Sequence, residues 1–378
     1  MWRKGIALLG LVWLLTGGVL AVPEVSAPSC LLMDRATGTV LYEKNADERL
    51  SPASVTKVMT LLLVMEAVDR GELSWDQTLT ASETAAAKGG SQVYLEPGEQ
   101  MPLREMVKCV TVASANDCAC ALAEAVAGSE AGFVERMNRR AAELGMSGTH
   151  FANCTGLDDE AGPEVHYTTA RDIAIMSREL LGHDAIRQYT TIWMDTIRNG
   201  TFGLTNTNKL IRFYPDATGL KTGFTSGAGY CMAASAEREG MELIAAVMHC
   251  DSSSDRFESA KALLEYGFAN YALRDPAAVA ELPELPVTMG TRETVPLTLG
   301  DSSPLLMARS DAAVLEAEPE LPESLPAPVA AGQQVGLLRL KAGGRILAEL
   351  PVTAAEDVER LKWRNLWGLI LREMWMGE

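Results

Sequence analysis

Histidine is scarce in this 378-residue chain, with four in all; aromatic side chains make up only 6%, and 33 basic residues face 50 acidic ones. Each shortage excludes something. The four histidines (His150, His166, His183, His249) show no partnering around a nucleophile elbow, which argues against a Ser-His-Asp hydrolase. His249-Cys250-Asp251 is a weak metal candidate, because neighbouring strand residues point to opposite faces. A net charge of −17 lacks the basic footprint that nucleic acid requires. The seven cysteines are odd in number and lack the spacing of a disulfide framework. Cys118 and Cys120, two apart on a predicted helix, face different ways, so the cysteines read as small buried hydrophobes. No metal and no cofactor is expected. What is present is 47% apolar residues, enough for a large core in two or three domains.

Five of the seven tryptophans (Trp2, Trp13, Trp363, Trp367, Trp375) lie at the chain ends. At the N-terminus, Arg3 and Lys4 precede an uncharged apolar run from Gly5 to Val22. Val19-Leu20-Ala21 and Val25-Ser26-Ala27 both offer small residues at a cleavage site, the pattern of an export signal over 1–27; an uncleaved membrane anchor is the alternative. Ala27-Pro28-Ser29-Cys30 resembles a lipoprotein attachment site only poorly. At the C-terminus, 356–378 sets Leu361, Trp363, Leu366, Trp367, Leu369, Ile370, Leu371, Met374 and Trp375 among Arg360, Lys362, Arg364 and Arg372. That composition predicts an amphipathic helix at a membrane surface, against the alternative of a helix docked on its own domain.

Between the ends the pattern is α/β. Strands are expected around 30–34 and 39–42, then at 217–224, 229–236 and 241–249. Helices are expected at 103–112, 117–127, 130–144, 169–181 and 255–270. Ser51 and Pro52 suit the N-cap and first position of a helix running to about Asp69. Its apolar body, Val58 to Val68, predicts a central buried helix. Strands at both ends of 28–275 predict helices packed on a sheet assembled from both ends. Beyond Asp275-Pro276 the composition shifts, and 276–355 reads as a small β domain with a solvated acidic loop from Glu316 to Pro328.

Three motifs carry chemistry. In Ser54-Val55-Thr56-Lys57, positions three apart share a helix face, so the Lys57 amine can reach the Ser54 hydroxyl. A serine hydroxyl needs a base to become a nucleophile, and a lysine at the head of an apolar helix loses charge through desolvation. Ser114-Ala115-Asn116 offers a hydroxyl and an amide between two helices. Lys221-Thr222-Gly223 on a strand supplies a second positive charge and a glycine against which a substrate backbone can lie. The first two motifs arise readily by chance; Lys-Thr-Gly is expected only about 0.06 times at this composition, and the ordered set is specific.

This set resembles the active-site serine penicillin-recognising family, and within it the low-molecular-mass D-alanyl-D-alanine carboxypeptidases of serine peptidase family S11. The resemblance extends to Pro52–Lys57, Ser114–Asp117, Phe151–Leu157, Tyr167–Asp172 and Gly219–Thr225. It implies a β-lactamase/transpeptidase-like domain with an antiparallel sheet and helical subdomain, followed by an all-β domain. It also implies that Ser54 attacks the D-Ala-D-Ala bond to form an acyl-enzyme, with Lys57 as base. Ser114 and Lys221 would relay the proton, and Asn116 would hold the acyl chain's amide. The N–H groups of Ser54 and Phe224 would form an oxyanion hole, and Thr222 and Arg256 would take the terminal carboxylate. Phe224 stands where some relatives carry histidine.

The partners so implied are a peptidoglycan stem peptide ending in D-Ala-D-Ala, β-lactam antibiotics and, through the terminal helix, the extracytoplasmic face of the cell membrane. A class A β-lactamase would need Glu-x-x-x-Asn, and neither Glu160 nor Glu164 has asparagine four residues on. A non-hydrolytic β-lactam sensor or wall-binding module is the remaining alternative. His166 reads as structural or solvent-exposed.

Overall fold

The computed structural model describes residues 22–158 and 165–362. Five antiparallel strands form the main sheet: β1 (Ser29–Asp34), β2 (Val40–Lys44), β3 (Ala217–Thr225), β4 (Gly229–Arg238) and β5 (Met241–Cys250). Their order is β2-β1-β5-β4-β3, so the N-terminal hairpin joins the C-terminal meander through the β1–β5 pair, the closure expected from the sequence. Strand alternation sends Leu31, Met33, Ile244, Ala246 and Met248 to one core. Cys30, Leu32, Leu243, Ala245 and Val247 go to the other. Both faces are therefore covered, which explains strands that read as nearly continuous apolar runs.

On the first face lies α1 (Lys57–Asp69), with ten of its residues buried. Around it pack α2 (Leu103–Ala113), α3 (Asn116–Ala127), α4 (Glu130–Glu143) and α5 (Ala170–Leu180). A helix apolar on every side can only be stable in such a centre. The opposite face is covered by α6 (Ser253–Asn270). The entry into α1 differs from expectation. Ala53–Thr56 forms a 3-10 turn preceded by Pro52, with no side-chain cap. Ser51 instead donates its hydroxyl to Asp158 at 3.0 Å, tying the turn to the 151–158 loop.

After α6, β6 (Tyr271–Arg274) pairs with a later strand, Leu305–Ala308, so the chain on both sides of Asp275-Pro276 shares one small sheet. The remaining segment holds a three-stranded sheet around Leu285–Thr288 and a four-stranded sheet. The latter contains Leu297–Leu299, Leu315–Glu320, Gln334–Ala342 and Arg345–Ala354. The expected acidic loop is corrected here: Leu315–Glu320 is an edge strand paired with Gln334–Ala342. Leu315 and Ala317 turn inward while Glu316 and Glu318 face solvent, and Arg339 meets Glu320 at 2.6 Å. Pro319 is tolerated because the strand lies at an edge. Both terminal expectations fall largely outside the described residues: all of the signal segment but 22–27, and all of the terminal helix beyond Lys362. Among the described residues no helix is long and apolar enough to cross a membrane.

Candidate active site

The turn that carries Ser54 is held from two sides at backbone distance. Ala53 has φ +47°, a left-handed conformation that costs a residue with a Cβ about 1–3 kcal/mol. A Cβ on Gly223 would stand 2.6 Å from the Pro52 carbonyl oxygen and 3.0 Å from the Ser54 nitrogen. A Cβ on Gly156 would stand 1.8 Å from the Ala53 carbonyl oxygen. The nearest neighbours of a Cβ on Gly223 are the backbone atoms of the turn that carries Ser54, so this glycine also fixes how closely β3 approaches Ser54.

Lys57 is fully buried, and its amine donates to the Ser54 hydroxyl oxygen at 2.8 Å and to the Thr155 carbonyl at 2.8 Å. Burial pushes the ammonium down to about 7, opposed by the nearby Cys154 and Asp117. A neutral amine keeps an N–H for Thr155 and offers its lone pair to the serine O–H, the arrangement a base requires. The Thr155 carbonyl is placed by Asn153, whose Oδ1 accepts from the Thr155 and Gly156 N–H groups.

His166 stands behind this turn and is 2% exposed. Its Nδ1 accepts from the Ala152 N–H at 3.1 Å, so Nε2 carries the proton and donates to Thr56 Oγ1 at 2.8 Å. Burial lowers its pKa to about 4, leaving it neutral. The role is structural, and solvent exposure is excluded.

Ser114 ends α2 in the left-handed region at φ +62°, and its hydroxyl makes no hydrogen bond among the described residues. The two lysines and Ser114 are therefore not joined by direct hydrogen bonds. Asn116 opens α3; its Nδ2 donates to the Gly89 carbonyl at 2.7 Å, while Oδ1 is buried without a partner. An orphaned acceptor of this kind suits an incoming amide N–H. Asp117 folds the facing loop by accepting the N–H groups of Val93 and Leu95.

On β3, Lys221 is 1% exposed and donates to the Thr222 carbonyl at 2.8 Å. Burial, then the charges of Lys57 and Arg256, press its pKa well below the ordinary value. The second positive charge read from sequence is therefore held against a desolvation penalty and the repulsion of two neighbouring cations. Thr222 Oγ1 donates to Thr207 Oγ1 at 2.7 Å. Arg256 is 6% exposed and reaches the Gly223 carbonyl at 3.1 Å. Phe224 is 54% exposed and stacks on Tyr230.

Sequence reasoning missed the Thr155 carbonyl, Thr207 and the His166–Thr56 bond. Only the first had a signal, the Asn-x-Thr-Gly turn pattern. All seven cysteines are buried and free. Cys154 is more than filler, since its thiol donates to Glu130 at 3.1 Å. Cys120, Glu130 and Cys154 bring three metal-ligating atoms within 4.8 Å of one another, and the Lys88 ammonium, 2.7 Å from Glu130, supplies positive charge there. Glu160 and Glu164 lie outside the described residues.

A half-buried serine on a buried lysine, flanked by an unpaired amide oxygen and a Lys-Thr-Gly strand, agrees with the sequence comparisons. The family described as D-alanyl-D-alanine carboxypeptidase, peptidase S11, matches residues 18–252. The chain belongs to this family. The C-terminal domain of penicillin-binding protein 5 matches residues 279–360. The D-alanyl-D-alanine carboxypeptidase DacF of Bacillus subtilis is 41% identical over 88% of this chain and 86% of its own. DacC of Escherichia coli is 32% identical over 94% and 90%. The crystal structure of penicillin binding protein 5 from Haemophilus influenzae superposes with TM-score 0.74 at 30% identity, covering 91% of this chain and all of its own. Penicillin-binding protein D2 of Listeria monocytogenes, solved with ampicillin bound, is 34% identical with TM-score 0.59 over 65% of this chain and 98% of its own.

Proposed function

We propose that this S11 peptidase is a serine-type DD-carboxypeptidase that removes the terminal D-alanine from peptidoglycan stem peptides. The observation that carries the reading is the 2.8 Å contact between the Ser54 hydroxyl and an amine, Lys57, that burial brings to about 7. Lys57 takes the hydroxyl proton as Ser54 attacks the carbonyl of the last peptide bond. The oxyanion faces the Ser54 and Phe224 N–H groups. The proton passes by way of Ser114 and Lys221 to the departing amine, with water bridging where direct hydrogen bonds are lacking. D-Alanine leaves, and water then splits the ester, returning Ser54 and a stem peptide one residue shorter. Asn116 Oδ1 takes the acyl chain's amide; Thr222 and Arg256 take the terminal carboxylate. β-Lactams enter the same chemistry as acylating analogues.

The protein is further proposed to act outside the cytoplasm, exported by its N-terminal segment and held at the membrane by the basic, Trp-rich segment after Val358. Deleting 358–378 should then move it from the membrane to the soluble fraction; an unchanged distribution removes the anchor.

The primary test incubates purified protein with a peptide ending in D-Ala-D-Ala and assays free D-alanine beside Ser54→Ala. Release by the wild type and none by the variant is expected. Covalent labelling by a fluorescent penicillin without D-alanine release would instead assign a sensor.

A further inference from the structure

Arg256 is a buried cation that makes no ion pair among the described residues. Its Nη1 reaches the carbonyls of Gly223 and Cys231 at 3.1 and 3.5 Å, and its Nη2 reaches Ser253 Oγ at 3.2 Å. Its Nε is buried without a partner. An uncompensated guanidinium in such a place is costly, and two aromatic rings partly offset the cost. Its Cζ lies 5.4 Å from the Tyr230 ring centre and 4.6 Å from that of Phe257. Tyr230 is directly opposite Phe224 across β3 and β4, and those rings stack at 4.3 Å. The result is a continuous pile of Phe224, Tyr230, Arg256 and Phe257. Its outer ring is half-exposed, and its cation touches the carbonyl of the glycine behind Ser54.

We infer that Tyr230 and Phe257 are positioning residues for recognition of a substrate's free C-terminal carboxylate, acting through Arg256. The reasoning is one of charge. An acidic neighbour would orient the guanidinium equally well but would neutralise it before substrate arrived. Ring faces attract a cation without supplying a formal negative charge, so the missing counter-charge is left for the ligand. Ser252, whose hydroxyl caps α6 by accepting the Asp255 N–H at 3.1 Å, fixes the first turn from which Arg256 projects. The inference rests on Arg256 being the carboxylate site.

The test compares kcat/KM for an N-acylated peptide ending in D-Ala-D-Ala with that for its C-terminal amide. The two are measured on wild type and on the Arg256→Ala, Tyr230→Leu, Phe257→Leu and Tyr230→Phe variants. Folded enzyme is counted by stoichiometric penicillin labelling. Tyr230→Leu and Phe257→Leu should each lower the acid-to-amide preference about tenfold, mainly through KM of the acid. Tyr230→Phe should restore it, because the ring and not the hydroxyl faces the guanidinium. If Arg256→Ala leaves the preference intact, the carboxylate assignment itself falls. If Arg256→Ala abolishes it but both leucine variants keep it, the stack is packing only and the inference falls alone.

Discussion

A lysine beside a serine hydroxyl is a base only while uncharged, so under the proposed mechanism the proton on Lys57 sets the response to pH. Burial lowers that amine from the ordinary lysine value to about 7. Below that pH the ammonium has no lone pair to offer; above it the amine is free. Acylation of Ser54 by a neutral ester or amide should therefore climb through a pH near 7 as alkalinity increases. The climb should level off above it, giving a single limb. Stopped-flow acylation rates across pH 5–10 would check this, and a flat profile would show that Lys57 is not the acylating base. Lys57→Arg should acylate at least about a thousandfold more slowly at every pH, because a guanidinium does not deprotonate in this range. Its charge cannot substitute for a lone pair.

The elements act on this pair as a clamp. β3 and the 151–158 loop grip the 3-10 turn through glycines, and the two sites of contact differ from an ordinary turn glycine in a measurable way. Gly156 combines φ +81° with a Cβ position 1.8 Å from the Ala53 carbonyl oxygen. Gly71, with φ +72°, has nothing within 4 Å of its Cβ position. Gly71→Ala should cost only the backbone penalty, about 1 kcal/mol, and leave acylation unchanged. Gly156→Ala adds overpacking against the nucleophile turn and should cost about 2–4 kcal/mol while slowing acylation. Thermal melts and penicillin-labelling rates on the two variants measure the difference; equal effects would refute the clamp.

This contrast also marks what the sequence could disclose. The Ser54–Lys57 contact follows from three-residue helical spacing, and the buried α1 from its unbroken apolar run. The partner that holds the amine, the Thr155 carbonyl, lies 98 positions away and is a backbone atom, which no side-chain pattern reports. The Glu316–Pro328 stretch misled because an edge strand needs only one covered face, and acidic residues with a proline resemble a loop when that face is narrow.

At the scale of the whole molecule, the proposed export segment offers two cleavage sites, after Ala21 and after Ala27, and the contacts of residues 25–27 weigh between them. Ala27 is completely buried, and its N–H donates to Ser259 Oγ on α6 at 3.2 Å. Ser26 meets the same hydroxyl at 3.1 Å. The Lys44 ammonium on β2 donates to the carbonyls of Val25 and Ala27 at 3.3 and 2.9 Å. Cleavage after Ala27 would remove a strap that joins the edge of the sheet to the helix beneath it. The exposed charge at a new Pro28 terminus would lie where Ala27 is now packed. Cleavage after Ala21 leaves the strap intact. If the proposed export segment is cleaved, the mature protein should begin at Val22, as intact-mass measurement would show, and a terminus at Pro28 would overturn this expectation. A version made to begin at Pro28 should melt several degrees below one beginning at Val22. It loses one buried apolar residue, Ala27, and four hydrogen-bonded contacts, together worth about 2–3 kcal/mol.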